Sequence, residues 1–141
     1  MSKVTVRLTT SQTLDGTTEQ TVVESIGALE KSDNEWLLTY AEPKTEDAYG
    51  ADVRMTVQVN SALIERKGPI NAHMPLVVQR DTVWQYDTPY GTMDIPVRCD
   101  KMDNQLTATG GRFSAAYIVS TPGDPSGMVC TMEILVKEVQ E

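Results

Sequence analysis

The chain has 141 residues, 23% charged and 40% hydrophobic, and a formal net charge of −8. That length fits one domain over residues 1–141, and the composition is that of an ordered globular protein rather than a disordered one. The acidic balance argues against a nucleic-acid or anionic-membrane partner, because either would need a basic surface to meet phosphates.

Met1-Ser2-Lys3-Val4 runs straight into a strand-like alternation, without the apolar core of a signal peptide. The longest apolar runs, such as Leu76-Val77-Val78 and Ile134-Leu135-Val136, are too short to span a bilayer. A cytoplasmic protein is expected. In that reducing compartment Cys99 and Cys130, each within an alternating apolar set, are expected to be two buried thiols. If adjacent strands carry them, oxidation in vitro stays open.

Val4, Val6 and Leu8 alternate with Thr5, Arg7 and Thr9, the period of a half-buried strand. Asp15-Gly16 then signals a hairpin turn. Thr18 to Lys31 is ambiguous: Val22, Val23, Ile26 and Leu29 fall at helical spacing, and Thr18 suits a helix cap. The Thr-Val-Val cluster, the interior Gly27 and the preceding hairpin turn favour a strand. After a polar turn at Ser32-Asp33-Asn34, Trp36, Leu38 and Tyr40 share one face of the next strand. Pro43 to Ala51 reads as a polar loop. Val53, Met55, Val57 and Val59 alternate with polar residues, Asn60-Ser61 turns the chain into Ala62 to Arg66, and Lys67-Gly68-Pro69 breaks that strand.

Leu76-Val77-Val78 is a further short strand. A hairpin follows, with arms Thr82 to Tyr86 and Met93 to Cys99. Between the arms, Pro89 suits the second position of a type I turn and Gly91 the left-handed residue of the closing bulge. Asp103-Asn104 or its neighbours are expected to turn the chain into Leu106 to Thr109, and Gly110-Gly111 to turn it again. Phe113, Ala115, Tyr117 and Val119 line one face of a long strand. A Pro- and Gly-rich loop spans Thr121 to Gly127, and Met128, Cys130, Met132, Ile134 and Val136 close the chain on a second regular alternation.

About eight to ten strands joined by hairpin turns make an all-β antiparallel meander. Closure into an up-and-down barrel buries its apolar face and removes its edges. A two-sheet sandwich is the alternative.

The order of these segments resembles the YwiB-like family of small bacterial proteins, a domain of unknown function. The residues that carry the likeness are Asp15-Gly16, Trp36 to Glu42, Gly50, Arg66-Lys67-Gly68, Tyr86-Asp87-Thr88-Pro89-Tyr90-Gly91, and Gly111-Arg112 leading into Phe113 to Tyr117. It covers nearly the whole chain and implies a closed or nearly closed β-barrel of calycin (lipocalin-like) type without an assigned activity. The Gly-x-Trp of lipocalins and the helical lid of fatty-acid-binding proteins are both missing.

No catalytic constellation emerges. His73, the only histidine, is expected in a solvated loop. Asp100 to Asn104 lacks the alternating acids of a calcium loop. No serine lies in a nucleophile elbow, and Gly110-Gly111 lies between strands rather than before a helix. A carboxylate pair such as Glu24 with Glu133 meeting inside a barrel is the remaining route to acid–base chemistry. No cofactor, metal or catalytic residue is therefore assigned.

Trp36, Tyr40, Trp84, Tyr86 and Tyr117 form the candidate ligand pocket, with Tyr90 a further aromatic; these rings either line a lumen or fill it. The expected function is a non-enzymatic barrel holding a small apolar or amphipathic ligand. The alternative is an interaction module using an outer sheet face, suggested by Leu37 beside Leu38. An enzyme using lumen carboxylates ranks third, and the assembly state is left between monomer and homodimer.

Overall fold

The computed structural model describes residues 2–43, 50–121 and 124–139. The first five strands are β1 (Ser2–Leu14), β2 (Thr17–Ser32), β3 (Glu35–Ala41), β4 (Asp52–Val57) and β5 (Ser61–Lys67). They are followed by β6 (Asn71–Val77), β7 (Asp81–Thr88), β8 (Gly91–Thr107), β9 (Gly110–Thr121) and β10 (Asp124–Glu138). Each strand pairs antiparallel with the one before it, and β1 pairs with β10, so the sheet closes into a ten-stranded barrel. The closed strand order settles the choice against a sandwich.

The ambiguous segment is strand throughout. β2 pairs with β1 from Ser2 opposite Leu29 to Leu14 opposite Thr17. Period-2 geometry buries Val23 and Leu29 and leaves Val22 and Ile26 outside, 40% and 59% exposed. The long ladder with β1, joined by β3 from Gly27 onward, thus overrides the helical spacing of the four apolar residues. At the first hairpin Asp15 (φ 51) and Gly16 (φ 78) are both left-handed, as a type I′ turn requires. In the central hairpin Thr88 lies opposite Gly91 and Asp87 opposite Thr92, so the turn is the two residues Pro89-Tyr90 and the expected bulge does not form; Gly91, at φ 127, opens β8 in a conformation that favours glycine.

Three further expectations need correction. Asp103-Asn104 is not a turn, because β8 continues to Thr107. Its polar break is a β-bulge: Cys99 faces Tyr117 and Lys101 faces Ala116, leaving Asp100 unpaired. The extra residue shifts the inward set from odd to even numbers, so Cys99 is followed on the inside by Met102 and Leu106. The next turn falls on Ala108-Thr109, and Gly110-Gly111 opens β9 instead. A Cβ on Gly110 would lie 2.3 Å from the Val136 carbonyl oxygen, and one on Gly111 2.2 Å from that of Gln105. The glycine pair therefore lets β9 approach both of its neighbours.

The third correction is β6, which begins at Asn71 rather than Leu76 and carries His73 on its outer face, opposite Glu65 and Gln85, instead of in a loop. The β6–β7 ladder covers only Asn71 to His73. Pro75 has no N–H to continue it. Its carbonyl accepts instead from Thr82 Oγ1 and Trp84 Nε1, each at 2.8 Å. Of the two expected loops, 44–49 and 122–123 lie outside the described residues; the loop expected over Thr121 to Gly127 is shorter than its Pro and Gly content implied, since β9 runs to Thr121 and β10 starts at Asp124.

Inward residues form cross-strand rows. One runs Trp36–Val57–Ala62–Leu76, the next Leu29–Leu38–Met55–Ile64–Met74, and the third Gly27–Tyr40–Val53–Arg66–Ala72–Tyr86. In the first two rows Leu38, Met55, Val57 and Leu76 are at most 1% exposed, so that half of the barrel is filled.

Candidate functional site

The third row carries the bulky polar side chains, and above it the lumen holds a cavity of about 250 Å³. Tyr40, Trp84, Tyr86 and Tyr117 line it, together with Arg66 and Glu42; Met55, Met74 and Met132 form soft wall, and Thr10, Gln12 and Thr21 add hydroxyl and amide groups. Four of the five candidate aromatics thus meet in one place. Trp36 does not join them. It lies on the same face as Tyr40 but four residues away, about 13 Å along a strand. There it packs on the filled half of the barrel, with Lys31 Nζ 5.3 Å from its ring centroid. Tyr90, at the tip of the central hairpin, is fully exposed.

Trp84 and Tyr117 make a tilted pair, with ring centroids 5.2 Å apart and planes at 50°. The indole N–H is spent on the Pro75 carbonyl, so Trp84 offers the cavity its ring face and edge. Tyr86 Oη lies 3.4 Å from Met74 Sδ. Burial pushes the phenols of Tyr40 and Tyr117 well above their ordinary range. Glu42 adds to the rise at Tyr40 and Arg66 opposes it, while Cys130 adds to the rise at Tyr117. Burial also raises Tyr86, against the pull of Arg66. All three are neutral hydroxyls at physiological pH.

The ion pair between Arg66 and Glu42 is the main feature that the sequence reading missed. Arg66 Nη2 donates to Glu42 Oε1. Glu42 is the one buried charged residue among the described residues, and its own N–H bonds to the Ala51 carbonyl at 2.8 Å, extending the β3–β4 ladder by one step. The buried Arg66 Nε has no partner. A signal for both residues was present. Glu42 continues the inward set Leu38, Tyr40, and Arg66 continues Ala62, Ile64, so each is a charge on the apolar side of an alternation.

Glu24 and Glu133 do not meet inside the barrel. Glu24 pairs with Arg7 at 3.7 Å and Glu133 with Arg112 at 3.2 Å, all on the outer wall. A depression of about 520 Å³ on the outside of β3–β5, lined by Thr39, Arg54, Glu65 and Lys67, is larger than the lumen cavity. That depression is a more open one, with Gly27, Ala28, Tyr40 and Val53 also in its lining, whereas the lumen gathers four aromatic rings and a buried ion pair. The lumen is the better candidate site.

Fold and cavity together define a closed ten-stranded antiparallel barrel with one half of its lumen filled and the other enclosing a polar-tipped cavity. The chain belongs to the family described as Domain of unknown function (DUF1934), whose model matches residues 6–134. Among solved structures it is similar to that of ywiB protein from Bacillus subtilis, with a TM-score of 0.85 and 19% sequence identity. That similarity covers 99% of this chain and 93% of the other, and at such identity it speaks for the fold. No curated protein matches the chain. No helix among the described residues is long and apolar enough to cross a membrane.

Proposed function

We propose that this protein is a non-enzymatic, calycin-like binding barrel that takes a small, largely apolar molecule into its lumen. The observation that carries the reading is the unfilled 250 Å³ between the Trp84–Tyr117 pair and the Arg66–Glu42 pair. That volume exceeds the roughly 150 Å³ that admits benzene and lies just below the roughly 300 Å³ where pockets for drug-sized ligands begin. Aromatic and thioether walls with a few polar groups suit such a ligand. A binder is favoured over an enzyme because the lumen carboxylate, Glu42, is engaged by Arg66, and Glu24 and Glu133 face solvent.

Among the described residues the outer-face alternative has one exposed cross-strand apolar pair to draw on, Ile118 of β9 opposite Val129 of β10. Val22 and Ile26 on β2 are separated from Leu135 on β10 by Thr5, Arg7 and Thr9 of β1. Apolar residues scattered in this way are ordinary on a protein surface. A cytoplasmic setting agrees with two free, buried thiols. Native mass spectrometry of protein purified gently from its own host tests the proposal. A retained small-molecule mass is expected, and a bare mass from every preparation would count against it.

A further inference from the structure

Resting on the lumen reading, we infer that the bound molecule presents a neutral acceptor–donor edge, of the kind on a cyclic amide or nucleobase-like ring, to the Arg66–Glu42 pair.

Charge selects against the other polar groups. The pair neutralises itself, so a ligand carboxylate would place a second anion beside Glu42 and a ligand ammonium a second cation beside Arg66, both in poorly hydrated space. A neutral ligand escapes either penalty.

Hydrogen-bond capacity then defines the edge. A guanidinium has five N–H donors, and among the described residues only Nη2 is engaged, by Glu42. Nε has no partner but is shielded from the cavity, so the donors left for a ligand are those of Nη1 and the second N–H of Nη2. The carboxylate of Glu42 has lone pairs beyond the one that Arg66 uses. Donors beside acceptors are complemented by an acceptor beside a donor, which is the pattern of a lactam C=O and N–H. The indole N–H of Trp84 is already committed to the wall and does not compete for this edge.

Shape agrees with a flat ring. Arg66 and Tyr86 lie on either side of Ala72 in the same cross-strand row, and both line the cavity. The tilted Trp84–Tyr117 pair adds flat aromatic surface to the same cavity. A space larger than the roughly 150 Å³ benzene cavity accommodates one or two fused rings.

Three two-ring probes of matched shape test the inference on the full chain: quinolin-2-one (lactam edge), naphthalene (no edge) and 2-naphthoate (anion). Dissociation constants would be measured by ligand-observed NMR. Quinolin-2-one is expected to bind at least about tenfold tighter than either other probe, because sites built to hydrogen-bond a ligand reject analogues lacking the group. The double variant Glu42→Leu/Arg66→Met should lose that preference and still bind naphthalene; it removes both charges because loss of Arg66 alone would strand Glu42, and it leaves no amide at 42 to pair with the lactam. Naphthalene or 2-naphthoate binding as tightly as the lactam, or a preference that survives in the double variant, would overturn the inference and leave the lumen reading standing. Failure of all three probes to bind would overturn both.

Discussion

Cys99 on β8 and Cys130 on β10 both lie directly opposite Tyr117 of β9, which places the two buried thiols two strands apart on the inner wall. At about 4.8 Å per strand their backbones are roughly 9–10 Å apart. A disulfide needs Cα atoms within about 7 Å. The in vitro cross-link left open by the sequence therefore has no route in the folded barrel. Alkylation of native protein should label neither cysteine, and alkylation in denaturant should label both. A native disulfide detected by mass would contradict this register.

The same burial predicts an alkaline limit to stability. Burial pushes the Cys130 thiol up to about 11 from an ordinary 9.0, and it raises Cys99, Tyr40, Tyr86 and Tyr117 in the same direction. The unfolded chain then loses these protons at lower pH than the folded one. Their contribution to stability is complete below about pH 9 and is lost as pH rises through the folded values. The melting temperature should fall between about pH 9 and 11, and Cys130→Ser should shallow that fall. A flat profile across this window would show that the groups are less buried than described.

Gly91 is a test of backbone conformation alone. Its φ is 127, and a Cβ there would meet nothing within 4 Å. Gly91→Val should cost about 1–3 kcal/mol through strain. Denaturant unfolding of mutant and wild type provides the check. Equal midpoints would mean that the turn readily adopts another form.

Glu42 and Arg66 should behave as a unit. Arg66→Met alone leaves Glu42 buried without its partner and should cost on the order of 3 kcal/mol. The double variant Glu42→Gln/Arg66→Met should recover most of that loss, because it leaves no buried charge. A double-mutant cycle on urea unfolding measures the coupling. Additive losses would show that the two groups do not act together.

At the β6–β7 seam, two side chains share the Pro75 carbonyl. Trp84→Phe should cost about 1 kcal/mol for the hydrogen bond, beyond any change in packing, since Thr82 still donates. Adding Thr82→Val strands the carbonyl and should cost more than the sum of the single changes. Chemical denaturation of the three variants decides between sharing and independence.

Strand character, hairpin order and inward faces were largely legible in the chain, because a period of two and local turn chemistry act over a few residues. Asp15-Gly16 and Pro89 to Gly91 set their turns locally, and the alternations from Val53 to Val57 and from Met128 state which side chains go inside, whereas Val59, past the end of β4, is exposed. The errors fell where a neighbouring strand decided the outcome. Asp100 reads as part of a polar turn but is a bulge, since only its pairing with β9 shows the ladder continuing. The glycines at 110 and 111 read as a turn, and their need is set by Val136 and Gln105 on either side.

The sequence by itself determined an all-β chain with one apolar face, and hence that Tyr40, Trp84, Tyr86 and Tyr117 point inward. Only the tertiary structure decided that the barrel closes through β1 and β10, that Trp36 lies on the filled side, and that Arg66 meets Glu42. The physical reason is register. Alternation states which face a residue takes, but its height along the barrel follows from how each strand is staggered against the next, and Glu42 and Arg66 lie 24 residues apart in the chain. Where the cavity lies, and which charges reach it, is set by that stagger.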